Sequence, residues 1–102
     1  MATTPEGKVK KEIKEWLATL PNCWFYMPVQ NGMGVVGIPD IVGCIDGKFF
    51  AIECKAPGKE GNVSVNQWHQ LDGIIRADGF ALVASSLTQV KIHFKFAGLQ
   101  NG

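Results

Sequence analysis

Two β-rich apolar runs, residues 38–45 and 48–56, meet at Asp46-Gly47, and no other feature constrains the fold of this chain as tightly. An Asp-Gly pair between such runs signals a two-residue hairpin, because the turn that matches strand twist needs positive φ at both central positions. Pairing then follows residue by residue: 45 faces 48, 44 faces 49, and 40 faces 53. Asp40 therefore lies across from Glu53 on one face of the sheet. Lys55, two residues further on, shares that face. Opposed side chains in such a pair have β-carbons about 4.5–5.5 Å apart.

Two carboxylates set against each other in an apolar hairpin repel, and desolvation adds to the cost. A divalent cation is the natural compensation. Magnesium or manganese takes oxygen ligands, commonly one or two carboxylates together with water and a substrate phosphate. Such a site could polarise a phosphodiester and activate a water, with Lys55 orienting that water or neutralising the charged phosphate. A plainer reading of the same residues is a Glu53–Lys55 salt bridge at a strand end, with Asp40 capping a turn.

The rest of the chain fits one α/β domain spanning residues 1–102, long enough for a single core. Thr4 and Pro5 open a helix whose Val9, Ile13, Trp16, Leu17 and Leu20 form an apolar stripe, ended by Pro21-Asn22. Glu6 projects within that stripe, whereas Glu12 lies near its edge and Glu15 points away. Residues 23–29 read as a first strand, followed by a Gly-rich loop. Ser64-x-x-Gln67 opens a second helix as a capping box, and Gly79 stops it. Residues 80–84 form a short apolar strand. Val90, Ile92, Phe94 and Phe96 alternate with Lys91, His93 and Lys95, predicting a half-exposed last strand. The predicted order is α-β-β-β-α-β-β, a central mixed β-sheet flanked by helices.

Bulk properties narrow the setting. No apolar run approaches the roughly 18 residues of a membrane span. The polar, Lys-rich start lacks the apolar stretch of a secretory signal. Cys23, Cys44 and Cys54 show no zinc-type spacing, so reduced thiols in a cytoplasmic protein are the simplest expectation. A net charge of +1 implies weak grip on a duplex unless the chain dimerises. Lys8, Lys10, Lys11 and Lys14 crowd the first helix, either as a solvated face interleaved with Glu12 and Glu15 or as a phosphate-facing patch.

Gly37-Ile38-Pro39-Asp40 followed by Glu53-Cys54-Lys55 resembles the split motif of the PD-(D/E)xK nuclease superfamily. With Gln67 at the next helix start and Gly79 before an apolar strand, it resembles more closely the virus-type replication-repair nuclease family, VRR-NUC. The resemblance runs from about residue 6 to residue 84. It implies a restriction-endonuclease-like core and Mg²⁺- or Mn²⁺-dependent endonuclease cleavage of DNA. Asp40, Glu53 and the Cys54 backbone carbonyl would hold the metal, and Lys55 would be the catalytic lysine. Gln67 would orient Lys55 or the attacking water; capping of its own helix is its other reading. Glu6 matches the acidic residue of the family's first helix. Small stand-alone members look like Holliday-junction resolvases, which implies a homodimer acting on branched DNA in DNA repair, typical of phages and bacteria. A non-catalytic nucleic-acid-binding or assembly module on the same scaffold is the alternative.

Other signals lead elsewhere. Residues 32–37 match GxGxxG but precede a strand rather than a helix, so no helix N-terminus is available for a pyrophosphate. His69 and His93 read as surface residues. Trp16, Trp24 and Trp68 read as core or interface, with base stacking a further use for one of them.

Overall fold

The computed structural model describes residues 3–29 and 34–99. Helix α1 spans Pro5–Leu17; its Thr4 hydroxyl accepts from the Gly7 N–H at 2.9 Å, and Pro5 occupies the first turn where a missing donor costs nothing. Strand β1 (Cys23–Tyr26) leads through the Gly-rich segment to β2 (Ile41–Ile45) and β3 (Lys48–Cys54). Asp46 and Gly47 have φ of 51° and 80°, and Ile45 pairs with Lys48, which is the two-residue turn the sequence predicts. Helix α2 (Val65–Arg76) crosses over to β4 (Phe80–Ala84), which pairs parallel with β3. The result is a four-stranded mixed sheet in the order β1-β2-β3-β4.

The chain then departs from the sequence expectation. Residues Leu87–Phe96 form a helix, α3, where the alternating pattern predicts a last strand, so the order is α-β-β-β-α-β-α. The alternation holds an i, i+4 pair within it: Val90 and Phe94 are fully buried, while Ile92 and Phe96 on the other side are exposed. Ser86 caps this helix through the Gln89 N–H, and Gln89 in turn accepts from the Ser85 N–H at 2.7 Å. Ser86-x-x-Gln89 is thus the same kind of start signal as Ser64-x-x-Gln67, masked in the sequence by the period-two pattern that follows it.

The core lies between the sheet and the layer made by α1 and α3. Val9, Ile13 and Leu17 meet Ile41, Ile45, Phe50, Ile52 and Leu82, with Val90 and Phe94 closing the layer. Phe94 is the hub, its ring 5.6 Å from Trp16, 5.2 Å from Phe50 and 5.7 Å from Phe80 in edge-to-face contacts. Among the described residues the opposite face is covered only in part. Helix α2 packs on β4, whereas Trp24, Tyr26, Cys44 and Phe49 stay exposed over β1, β2 and the start of β3. Trp68 and Ile75 of α2 are exposed as well. Of the three tryptophans only Trp16 is packed against the core, which corrects the core reading of Trp24 and Trp68. No helix among the described residues is long and apolar enough to cross a membrane.

Candidate active site

The site forms where β2 begins, β3 ends and α2 begins. Gly37 brings these together. Its φ is 84°, and a β-carbon there would lie 2.5 Å from the Asn66 backbone and 2.7 Å from the Gln67 nitrogen. Only glycine lets the Gly37–Asp40 loop run this close to the first turn of α2. The motif glycine therefore acts through structure, setting Asp40 and Gln67 beside one another.

Asp40 stands one residue before β2, and the observed register (Ile41 with Ile52) extends to place it opposite Glu53, as the turn geometry predicts. Its Oδ2 accepts the Cys54 N–H at 2.8 Å, which anchors the carboxylate to the end of β3. Its Oδ1 meets the Lys10 ammonium at 3.3 Å. Glu53 is buried, with 3% exposure, and its carboxyl is pushed up from 4.5 to about 7. Burial is the chief cause; the Asp40 charge and a hydrogen bond shared with Asp40 add to it, and Lys55 partly offsets it. Burial and the neighbouring Asp40 charge thus favour the protonated form of Glu53 up to about neutral pH.

Lys55 lies 3.5 Å from Glu53 Oε2 and donates to Gln67 Oε1 at 3.1 Å. The Gln67 Nε2 donates to Glu53 Oε2 at 3.0 Å, and Oε1 also accepts the Ser64 N–H at 2.9 Å. Gln67 thus completes the capping box of α2 and also bridges Lys55 and Glu53. Its amide orientation is over-determined, because two pure donors face the oxygen and a carboxylate faces the nitrogen.

Cys54 is the last residue of β3, with its thiol in the core, and burial pushes that thiol up to about 12. The thiol thus stays protonated in the core, while Asp40 and Glu53 present oxygen donors. In an extended strand the N–H and C=O of one residue leave on the same side. The Cys54 N–H reaches Asp40 while the Lys55 N–H pairs with the Ala84 carbonyl across the other edge. The Cys54 carbonyl is accordingly directed to the Asp40 side. Glu6 is half-buried in the first turn of α1 and enters through its field, which with those of Asp40 and Glu53 raises the Cys54 thiol. The α1 residue that touches an acid of the site is Lys10, one turn later. In the sequence Lys10 is one of four crowded lysines; the signal that singles it out is the i, i+4 spacing from Glu6 on the inward side. Lys8, Lys11 and Lys14 are exposed, as a solvated face would be. His69 and His93 are exposed too.

Among the described residues, no three or more His, Cys, Asp or Glu side chains are placed to hold a metal ion together. The donor set is two carboxylates and a carbonyl, which fits magnesium or manganese completed by water and phosphate oxygens and does not fit a thiolate metal. Comparison with protein-family models, curated proteins and solved structures finds no match. Fold and site therefore define a small α/β domain with a mixed sheet flanked by helices, carrying an acid pair and a tied lysine at one sheet end.

The proton on Glu53 has a consequence for stability. Its carboxyl lies near 4.5 in the unfolded chain and at about 7 in the folded protein, so between those values the folded state binds more protons. Its stabilising contribution is complete below 4.5 and is lost as pH climbs through about 7. In the presence of chelator, the urea midpoint should drift downward across that window, and Glu53→Gln should remove this part of the drift. An unchanged drift in Glu53→Gln would assign it to another group.

Proposed function

We propose that this chain is a Mg²⁺- or Mn²⁺-dependent nuclease of the PD-(D/E)xK type with a restriction-endonuclease-like core, nearest in motif to the VRR-NUC family. The observation that carries the reading is the pair Asp40 and Glu53, pressed together while Gln67 holds Lys55 against Glu53. A structural Glu53–Lys55 pair accounts for one acid; the nuclease reading gives a common purpose to the second, Asp40, which is anchored by the Cys54 N–H and set against a buried Glu53.

Asp40, Glu53 and the Cys54 carbonyl would hold the cation, which when bound supplies Lewis-acid polarisation of the phosphodiester and a more acidic water. The chain's own groups do the rest. Lys55 presents a compact positive charge to the negative charge that builds on phosphorus oxygens. Gln67 fixes that ammonium from the rigid start of α2, and its amide N–H holds Glu53 in place.

The substrate in this reading is DNA, branched or junction-like in preference to a particular sequence, as the resemblance to small junction-resolving nucleases implies, and the net charge of +1 supplies little general grip. A homodimer would double that grip. The half-covered sheet face supports one: Trp24 at 61%, Tyr26 at 51% and Phe49 at 44% exposure surround a groove of about 480 Å³. Light scattering that returns a single-chain mass at all concentrations would remove the dimer. The setting expected from the motif is the cytoplasm of a bacterium or a phage-infected cell.

The deciding assay compares four-way junction, flap, single-stranded and plasmid DNA with manganese and with chelator. Cleavage that requires manganese and favours junctions is expected; cleavage indifferent to chelator refutes the cation mechanism. The rival, a non-catalytic nucleic-acid-binding module, draws on each acid already having a lysine beside it. It requires that calorimetry show no manganese binding to the wild type or to Asp40→Ala.

A further inference from the structure

We propose that Lys10 is a displaceable counter-cation: it occupies Asp40 until a divalent cation enters, then moves onto a backbone phosphate of the bound nucleic acid. This rests on the nuclease reading of the same site and adds to it a residue outside the acid–lysine motif.

Two acids and two lysines meet here, so the two ammoniums offset the field the acids would offer to a divalent cation. One lysine must yield for a cation to be favoured. Lys55 is tied, because it is buried, with 9% exposure, and is bonded to both Gln67 and Glu53. Lys10 is not tied in this way. Its contact in the site is a single ion pair at 3.3 Å, its side chain keeps 30% of its surface in solvent, and it extends from a helix whose neighbouring lysines are exposed. Asp40 Oδ2 accepts the Cys54 N–H and Oδ1 is the oxygen Lys10 covers, so a metal that takes Oδ1 displaces Lys10 and leaves the backbone anchor intact. Lys10 keeps part of its surface in solvent, so its ion pair is partly screened and open to competition from a divalent cation. The freed ammonium sits on a long flexible stem at the rim of the site, where a phosphate adjoining the scissile one is the nearest expected anion. Cation and nucleic acid would then each favour the other's binding.

The test is calorimetric titration of manganese, without DNA, into the wild type, Lys10→Ala, Lys10→Met and Lys14→Ala. Lys14 is exposed on the same helix, so its variant makes the same change in net charge away from Asp40. Lys10→Ala and Lys10→Met should bind manganese roughly three- to tenfold more tightly, and Lys14→Ala should match the wild type. Unchanged or weaker binding in both Lys10 variants overturns the proposal, as does an equal gain in Lys14→Ala. Binding seen only once Lys10 is removed supports it strongly. Binding in none of the four overturns this proposal together with the nuclease reading, whereas wild-type binding without a Lys10 effect overturns this proposal alone. The phosphate half is read from DNA affinity against salt. In calcium, the wild-type slope should exceed that of Lys10→Ala by about 0.9, one phosphate contact, and in chelator the two should agree. Equal slopes in calcium would overturn that half.

Discussion

Lys55→Ala is expected to lower manganese-dependent cleavage by roughly 10²–10³-fold, the scale lost when one preorganised charge-stabilising donor is removed. Two effects combine. The ammonium that would face the transition-state phosphate is gone, and Glu53 loses the neighbour that partly offsets its raised carboxyl. Glu53 would then hold its proton to higher pH and compete more strongly with a cation. Lys55→Arg should recover little, because a planar guanidinium cannot occupy the place of a compact ammonium between Gln67 and Glu53. Single-turnover nicking at saturating manganese, with circular dichroism to confirm the fold, measures both variants. A folded Lys55→Ala protein with wild-type cleavage would remove Lys55 from the chemistry, and the nuclease reading would lose its catalytic group.

Phe94→Ala should destabilise the protein by about 3–5 kcal/mol, the usual loss for a fully buried phenylalanine. Its ring contacts Trp16, Phe50 and Phe80 and so joins α1, α3 and the sheet. Phe96→Ala should change stability by no more than about 0.5 kcal/mol, because Phe96 is 88% exposed. Urea denaturation of the two variants distinguishes the helix from the strand that the alternating pattern predicts. In a half-buried strand, Phe94 and Phe96 would share a face and their losses would be alike. Equal losses would therefore contradict α3.

The hairpin and its acids were legible because a two-residue turn makes pairing a matter of counting. Asp46-Gly47 determines that Ile45 meets Lys48, and everything back to Asp40 and Glu53 follows. The start of α2 was legible for a similar reason, since a capping box is a local hydrogen-bond pattern written in three residues' spacing. Residues 87–96 were not. A run alternating over seven residues serves a strand face and also contains the i, i+4 pair of a helix; the Ser86-x-x-Gln89 start favours the helix, and the space between α1 and the sheet completes the choice. Lys10 was equally hidden, because its partner is thirty residues away and belongs to another element.

Local chemistry thus determined the turn, the helix starts and the opposition of Asp40 to Glu53, since each depends on groups a few residues apart or on a register that one turn transmits. Tertiary structure decided that Gln67 reaches both Lys55 and Glu53 and that Lys10 covers Asp40, and it carried the last segment on as the helix that its Ser86 cap begins. Those outcomes depend on how closely separate elements approach, and that distance is set by packing: by the absence of a side chain at Gly37 against α2, and by Phe94 filling the space beneath α1.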